Sequence, residues 1–185
     1  MRIGVISDTH NFFDPRLPLL FAGVDHILHG GDIGLPAIIL ALEQIAPVTA
    51  VAGNTDDPGL HNRLTEVVEL ASRRFFLQHI VNPQSLAEPI RTRIARSRPD
   101  VVVFGHTHEI VDGGLLEGDL KGQLFNPGTW LPSLDLSLAY VREKIREDGL
   151  SLDMLKDPTL YTKARRAVRI DANPGERASV SVVTC

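Results

Sequence analysis

Residues 1–10 read MRIGVISDTH, an apolar run that ends in an aspartate and a histidine two positions apart. Ile3 to Ile6 have the composition of a short buried strand, and Asp8 and His10 follow it directly. Because Asp8 and His10 are two residues apart, both side chains can turn toward one metal ion if the segment is extended. The stretch therefore predicts a strand whose carboxyl end carries metal-ligand side chains.

The same arrangement recurs four times along the chain. Each recurrence places a ligand-type residue after an apolar run: Asp32 after residues 27–28, Asn54 after residues 48–52, His79 after residues 75–77 and His106 after residues 101–104. His108 then follows His106 at the spacing seen between Asp8 and His10. In an open α/β sheet, side chains at the carboxyl ends of neighbouring strands meet in one crevice. Two carboxylates, one amide and four imidazoles predict a site for two metal ions there.

Strand-type and helix-type segments alternate over the first two-thirds of the chain. Helices are predicted at residues 17–22, at residues 37–46 and from the capping-box pair Ser85 and Glu88 to about Ser97. Residues 65–70 and 73–77 are typical of a hairpin that turns at Ala71-Ser72. These patterns indicate an α/β fold with a mixed sheet system and flanking helices.

The last third of the chain has a different character. Residues 136–147 and 152–166 carry helix-type spacing, and residues 167–170 with 179–183 are typical of a final hairpin around residues 173–175. We expect a single domain over residues 1–185, with a helical insertion at about 136–166 before the hairpin. Such an insertion could serve homo-oligomerisation.

Composition excludes several classes of protein. The 185 residues are 43% hydrophobic and 23% charged, which is typical of a folded globular chain. A net charge of -4 provides no electrostatic reason for broad binding to nucleic acid or to an anionic membrane. The one cysteine, Cys185, cannot form an intrachain disulfide, which suits a reducing compartment. We expect a cytoplasmic protein without a membrane partner.

The ligand types predict both the metals and the reaction. Oxygen and imidazole ligands without thiolates suit Mn, Fe or Zn better than Ca or Mg. Two divalent ions about 3.5–4 Å apart can bind a phosphate, lower the pKa of a bridging water and align that water for in-line attack. Two such ions are expected here, with Mn favoured and Fe, Zn, Ni and Mg as alternatives. The expected substrate is a small phosphoester.

A resemblance to a known family rests on six short motifs. They are Asp8-Thr9-His10, Gly31-Asp32, Gly53-Asn54, His79, Gly105-His106-Thr107-His108 and Asn126-Pro127-Gly128-Thr129. Over about residues 1–130 the chain resembles the calcineurin-like metallophosphoesterases. It is most similar to their small single-domain branch of phosphodiesterases, which also includes the Vps29 scaffold proteins. This resemblance implies a four-layer αββα fold, in which helices flank a two-sheet mixed β sandwich.

The resemblance also implies roles for single residues. One metal would be held by Asp8, His10, Asp32 and His108, and the other by Asp32, Asn54, His79 and His106. Asp32 would bridge the two ions, and Asn54 would also face the phosphate. Asp32, Asn54 and His106 are the residues expected to take part in catalysis, in which a hydroxide bound to both metals attacks phosphorus.

The chain departs from the family pattern at three places. Many members have a histidine after the asparagine, where it protonates the leaving oxygen, but this chain has Thr55. Substrates with good leaving groups should be favoured, and strong monoesterase activity is not expected. Ile80 follows His79 where the family usually has a glycine. The segment after Trp130 does not match the short strand ending expected of the family.

Other readings stay open beside the enzyme. A binding or scaffold protein of the Vps29 type, without useful catalysis, is one alternative, and a phosphomonoesterase is another. Phe12 and Phe13 could line a substrate pocket or pack in the core. His29 lies within an apolar run and is typical of a hydrogen-bonded core histidine. The predicted helix that ends near Ser97 carries a basic stretch typical of a solvated face, formed by Arg91, Arg93, Arg96 and Arg98.

Overall fold

Two five-stranded sheets form the centre of the protein. The computed structural model describes residues 1–57, 62–116, 120, 122–129, 166–171 and 179–184. The strands in these ranges are β1 (Arg2–Ile6), β2 (His26–His29), β3 (Val48–Ala50), β4 (Thr65–Leu70), β5 (Arg73–Gln78), β6 (Val101–Val103), β7 (Ile110–Leu115), β8 (Gln123–Pro127), β9 (Arg166–Asp171) and β10 (Ser179–Thr184). The helices there are α1 (Leu17–Leu20), α2 (Pro36–Glu43) and α3 (Glu88–Ser97).

Each sheet combines three parallel strands with antiparallel strands, which lie at one edge of the first sheet and at both edges of the second. The first sheet has the order β10-β9-β1-β2-β3, and β1, β2 and β3 run parallel to one another. The second sheet has the order β4-β5-β6-β8-β7, and β5, β6 and β8 run parallel. The hairpins β9–β10 and β4–β5 supply antiparallel edges. Both sheets are therefore mixed, as the sequence predicts.

Three apolar clusters define the layers. The first lies between the sheets, where Val5 and Leu28 of one sheet pack with Phe75 and Val103 of the other. The second joins the first sheet to α1 and α2. The third joins the second sheet to α3, through residues such as Ile94. The order helix, sheet, sheet, helix confirms the expected αββα arrangement.

Strand alternation explains why both faces of the sheets are covered. Along β5, Phe75 and Leu77 belong to the cluster between the sheets, whereas Phe76 belongs to the cluster under α3. All three side chains are buried. Successive side chains of a strand point to opposite faces, so an uninterrupted apolar run fits a strand that is buried on both sides.

Both predicted hairpins are confirmed, whereas two predicted helix boundaries differ from the structure. The β4–β5 hairpin turns at Ala71 and Ser72, whose φ angles are 50° and 59°. The final hairpin forms between β9 and β10, although Arg166, expected at the end of a helix, is the first residue of β9. The predicted helix at residues 37–46 is shorter in the structure, since α2 begins at Pro36 and ends at Glu43.

The capping-box prediction at Ser85 is wrong. The N-cap of α3 is Ala87, which makes no side-chain capping bond, and Glu88 is the first helical residue. Ser85 lies in the preceding turn, where its N–H donates to the Asn82 side chain at 3.2 Å. Pro89 accounts for this start, because a proline is tolerated only in the first turn of a helix. Most of the predicted helical insertion at about 136–166 lies outside the described residues.

Candidate metal centre

The ligand-type residues follow the carboxyl ends of parallel strands. Asp8 and Asp32 come after β1 and β2 of the first sheet, and Asn54 comes after β3. His79 and His106 come after β5 and β6 of the second sheet. Because the two sheets are stacked on a shared core, both sets of strand ends reach the same edge of the sandwich. The expected convergence of loops at one crevice is found in the structure.

Asp8, His10 and His108 form one cluster of potential ligand atoms. His108 Nε2 lies 3.2 Å from Asp8 Oδ1, and His10 Nε2 lies 4.0 Å from the same oxygen. The two imidazole Nε2 atoms are 3.4 Å apart. Asp8 is buried, whereas the two histidines are partly exposed. One ligand atom from each residue could therefore face a cation that enters from solvent.

Asp8 also belongs to a second cluster, which is completed by Asp32 and His79 and is buried throughout. His79 Nε2 lies 3.3 Å from Asp32 Oδ2, and His10 Nε2 lies 3.7 Å from that oxygen. The other ring nitrogen of His79, Nδ1, is 2.8 Å from the carbonyl oxygen of Gly30 and can only donate to it. This bond leaves the Nε2 lone pair directed at the carboxylate side of the site.

The His79 Nε2 atom tests whether a metal would fit. It is buried and has no hydrogen-bond partner. A buried nitrogen without a partner is costly, and a metal-ligating histidine commonly donates its other N–H to a carbonyl oxygen, as His79 does. The donor set of carboxylates and imidazoles suits a divalent transition metal. The residues present therefore fit a metal ion.

Asn54 and His106 lie outside these two clusters. His106 is exposed, and its ring stands edge-on to that of His79 with the ring centroids 5.5 Å apart. Its backbone N–H donates to both oxygens of Asp8, at 3.2 and 3.3 Å. Asn54 is exposed on the loop after β3. Ile80, which occupies the place of the family's glycine, is 45% exposed.

The backbone of the site is strained. Five of the seven predicted ligands have a left-handed φ: Asp8 54°, His10 44°, Asp32 52°, His106 71° and His108 58°. A residue with a Cβ held in this region costs on the order of 1 kcal/mol or more, and such residues concentrate at functional sites.

Close packing explains two of the motif glycines. A Cβ on Gly31, whose φ is 101°, would lie 2.6 Å from His79 Nδ1. A Cβ on Gly105 would overlap the Ser7 hydroxyl and the Asp8 carboxylate. Neither position can take a larger residue without moving a candidate ligand.

The two carboxylates differ in their electrostatic environment. Burial raises the pKa of Asp8 above its ordinary value, although a hydrogen bond from Ser7 and the nearby His79 and His108 act in the opposite direction. Burial would also raise the pKa of Asp32, but the Thr55 N–H at 2.9 Å and neighbouring histidines lower it overall. A bound cation would favour the charged form of both carboxylates.

Asp56 is a supporting residue that the sequence analysis missed. Its Oδ1 accepts a hydrogen bond from Gly34 N at 2.7 Å, and its Oδ2 accepts one from Gly53 N at 2.8 Å. The side chain thereby ties the loop that carries Asp32 to the loop that carries Asn54. The sequence did offer a signal for this role: Asp56 lies two residues after Asn54 in a turn, where an aspartate often accepts hydrogen bonds from nearby backbone N–H groups.

Residues at and just after the end of β8 support the histidine loop. The buried Asn126 amide donates to Gly105 O at 3.0 Å and to Thr107 Oγ1 at 3.1 Å. The Thr129 hydroxyl donates to Asp8 O at 3.1 Å. Sequence composition indicated only a turn here, and the family resemblance alone linked this segment to the site. In the structure it holds both histidines and Asp8 in place.

His29 is a core histidine, as predicted. Its Nε2 is 3.0 Å from Thr9 Oγ1, and its Nδ1 accepts from Gly31 N at 3.2 Å. The Thr9 hydroxyl donates to Ile33 O at 3.0 Å, so it must accept from His29. Burial lowers the pKa of His29 to about 3, which keeps the ring neutral. Phe12 and Phe13 pack at the edge of the cluster under α1 and α2, which favours the packing reading for them.

Together, these observations define an αββα sandwich whose strand ends carry a cluster of carboxylates and imidazoles suited to metal ions. Residues 1–145 match the family model of the calcineurin-like phosphoesterase superfamily domain. The chain therefore belongs to the calcineurin-like phosphoesterase superfamily. Within the described residues, no helix has the length and apolarity needed to cross a membrane.

Relatives agree with this assignment. Over 116 residues the chain is 36% identical to a "Probable metallophosphoesterase" of Methanothermobacter thermautotrophicus, covering 59% of this chain and 67% of that protein. It is 28% identical over 130 residues to a phosphodiesterase of Methanocaldococcus jannaschii, covering 60% of this chain and 75% of that protein. These similarities support phosphoester hydrolysis as the class of activity.

The fold is also shared with a solved structure of Vps29 from Entamoeba histolytica in complex with zinc. The alignment covers 100% of this chain and 99% of that one, with a TM-score of 0.63 and 18% identity. At this identity the likeness concerns the fold alone.

Proposed function

We propose that the protein is a metal-dependent phosphodiesterase that uses two divalent ions. One observation carries the proposal: Asp8, Asp32 and His79 bring ligand atoms together in a buried cluster, and the Nε2 atom of His79 has no hydrogen-bond partner. A purely structural cluster of this kind would leave a polar nitrogen buried at a cost, whereas a metal ion would use it.

As the family resemblance implies, the ligands would divide into two sets that share Asp32, and the Asp8 carboxylate lies beside both sets. One ion would be held by Asp8, His10, Asp32 and His108, and the other by Asp32, Asn54, His79 and His106. The short distances from His10 and His79 to the same Asp32 oxygen support a bridging role for this carboxylate. The edge-on contact of the His79 and His106 rings supports placing both at the second ion. Manganese is the metal we favour for this oxygen and imidazole set.

When bound, two such ions would supply an activated water and would neutralise charge on the phosphate. The chain's own groups hold the site in position for that task. The His106 backbone N–H fixes the Asp8 carboxylate, and the Thr55 N–H fixes Asp32. Gly30 O fixes the tautomer of His79. Because these partners are preformed, little reorganisation is needed when a substrate binds.

Thr55 favours esters with good leaving groups. It is exposed beside Asn54, and its hydroxyl lies 3.4 Å from His10 Nδ1. Many family members have a histidine here that protonates the leaving oxygen, whereas a threonine hydroxyl is far too weak an acid at neutral pH for this role. Esters whose leaving group departs without protonation are therefore the expected substrates.

The test compares bis-p-nitrophenyl phosphate with p-nitrophenyl phosphate. Metal-stripped protein would be assayed with and without added Mn²⁺, beside an Asp32→Ala variant. A Glu43→Ala variant, which removes an exposed carboxylate at the end of α2, is the matched control. We expect Mn²⁺-dependent cleavage of the diester, which Glu43→Ala retains and Asp32→Ala loses.

Other outcomes point to different functions. Faster turnover of the monoester would replace the diesterase proposal with a monoesterase. No turnover of either ester with any divalent ion, in protein that still binds metal, would favour a binding protein with this fold.

A further inference from the structure

A groove with an apolar floor and an arginine rim lies on the outer face of the second sheet. Its volume is about 740 Å³, and it runs between the edge strand β4 and helix α3. The residues that define its character are Arg63, Leu64, Val67, Arg74, Arg93 and Arg96. The metal centre lies at the strand ends, so this groove is a separate feature of the molecule.

The floor exposes unusual apolar area. Leu64 is 65% exposed and Val67 is 45% exposed, and they adjoin Phe76 at the base of the groove. In the register of the hairpin, Val67 pairs with Phe76, so both side chains stand on the same face of the sheet. Helix α3 covers the middle of this face through Ile94, but among the described elements none lies over Val67. Exposed aliphatic side chains of this kind commonly mark a binding surface.

The rim is strongly basic on a protein whose net charge is -4. Four arginines line the groove, and its described lining contains no carboxylate. Arg63 pairs with Glu66 at 3.5 Å. Arg93 donates to Thr65 Oγ1 at 2.7 Å, and Arg74 donates to Ser97 O at 2.5 Å. These bonds to neutral oxygens position two guanidinium groups. Among the described residues neither group forms an ion pair, although Glu69 lies opposite Arg74 in the hairpin.

Arg93 and Arg96 are three residues apart on α3, which places them on the same side of that helix. Guanidinium groups bind carboxylates through paired hydrogen bonds. A nucleic acid would not use the apolar floor, because the described lining offers no exposed aromatic ring for base stacking. An aliphatic floor with a basic rim matches a ligand that combines aliphatic side chains with carboxylates.

We propose that this groove docks an acidic polypeptide segment of a partner protein. Leucine or valine side chains of the segment would cover Leu64 and Val67, and its glutamate or aspartate side chains would pair with Arg74, Arg93 and Arg96. This role does not depend on the metal centre or on the proposed diesterase activity.

Fluorescence anisotropy with short labelled peptides tests the proposal. The probe is Glu-Glu-Leu-Leu-Glu-Glu-Leu-Leu. In one matched peptide lysine replaces glutamate, and in another serine replaces leucine. We expect the acidic leucine peptide alone to bind well, and to bind more weakly as ionic strength rises. An Arg93→Ser/Arg96→Ser protein should bind it at least about tenfold more weakly. A Val67→Ser protein should also bind it more weakly.

Arg91→Ser is the matched control, because Arg91 is on the same helix but does not line the groove. This protein should bind the acidic peptide as the wild type does. Unchanged thermal unfolding and Mn²⁺-dependent esterase turnover in every variant would show that only docking is affected. If the wild-type protein showed no esterase activity, the peptide-binding result would still test the docking proposal, because peptide binding is measured without substrate or metal.

Four results would overturn the proposal. They are the absence of peptide binding at low ionic strength, equal binding of the lysine peptide, equal binding by the Arg93→Ser/Arg96→Ser protein, and tighter groove-dependent binding of an oligouridylate. A fifth contradicting result would come from sedimentation. If the wild-type chain were a dimer and the Arg93→Ser/Arg96→Ser protein a monomer, a second copy of the chain would occupy the groove.

Discussion

The Nε2 atom of His79 lies 3.3 Å from the Asp32 oxygen Oδ2, while Nδ1 of the same ring bonds to the carbonyl of Gly30. Since Nδ1 must donate, Nε2 of the neutral ring carries a lone pair. A lone pair facing a carboxylate oxygen is unfavourable unless a cation or a proton lies between them. This relationship supports the proposed metal site at the buried end of the cluster.

His79→Ala should therefore weaken metal binding. We expect Mn²⁺ affinity to fall by at least about tenfold, the lower end of the effect seen when residues supporting a metal site are removed. Isothermal titration calorimetry on metal-stripped protein measures this. His26→Ala is the control, because His26 bonds to Thr49 on β3 rather than to the site. Equal affinities for wild type and His79→Ala would remove His79 from the ligand set.

Asp56→Ala should loosen the site without removing a ligand. The Asp56 carboxylate accepts from the N–H groups of Gly34 and Gly53, so its loss leaves two backbone donors unpaired. We expect a cost of about 1–3 kcal/mol in the free energy of unfolding, measured with urea. Mn²⁺ affinity should also fall, whereas Glu43→Ala should change neither quantity. Normal affinity in the Asp56→Ala protein would show that the two loops hold their positions without this link.

Gly105→Ala should damage both stability and the site. The new Cβ would overlap the Ser7 hydroxyl and the Asp8 carboxylate, and overpacking of this kind typically costs about 1–3 kcal/mol. The control is Gly114→Ala, where the nearest heavy atom would be Leu124 Cδ1 at an ordinary 3.6 Å. Urea unfolding and metal titration of both variants make the comparison. If the two substitutions had equal effects, the tight packing at Gly105 would not matter.

The strands were the most predictable part of the fold. The apolar run of β1 is found nearly at its predicted bounds, because burial on both faces requires continuous apolar residues. The hairpin of β4 and β5 is also found nearly at its predicted bounds, although no residue of β4 is buried, since its turn and the apolar run of β5 mark it. The convergence of the ligand-type residues could also be predicted, because the carboxyl ends of parallel strands meet at one edge of a sheet. The start of α3 was missed, because Pro89 rather than the Ser85 pattern determines where that helix begins.

The local geometry of the site could not be read from sequence. Asp8, Asp32 and His106 are held at positive φ. Aspartate and histidine adopt this conformation more often than most residues do, but their identity alone does not specify it. It arises from long-range bonds, for example from Asp8 N to Gly31 O and from the Thr129 hydroxyl to Asp8 O. Contacts between residues so distant in sequence become visible only once the sheets are stacked.

Thr55→His should shift the substrate preference toward esters with poor leaving groups. The Thr55 backbone N–H bonds to Asp32, and this bond would survive a change of side chain. An imidazole at this exposed position could protonate a leaving oxygen, an effect worth about 10²–10⁴-fold for a well-placed acid. We expect kcat/KM for phenyl phosphate, relative to p-nitrophenyl phosphate, to rise by about tenfold or more, because only the phenolate needs a proton to leave. Thr55→Gln, which has no titrating group, is the control, and an equal change in both variants would contradict the role of an acid.

His29 should make stability sensitive to acid. Its pKa is lowered from 6.5 to about 3 by burial, so above pH 6.5 the ring is neutral in the folded and the unfolded state alike. As the pH falls below 6.5, only the unfolded state takes up the proton, and stability is lost at about 1.4 kcal/mol per pH unit. At pH 5 the loss should reach about 2 kcal/mol relative to pH 8. Urea unfolding at both pH values, for wild type and His29→Gln, isolates this contribution, because the other titrating groups are common to the two proteins. The same loss of stability in both would mean that His29 is already protonated in the folded protein or stays neutral in the unfolded one.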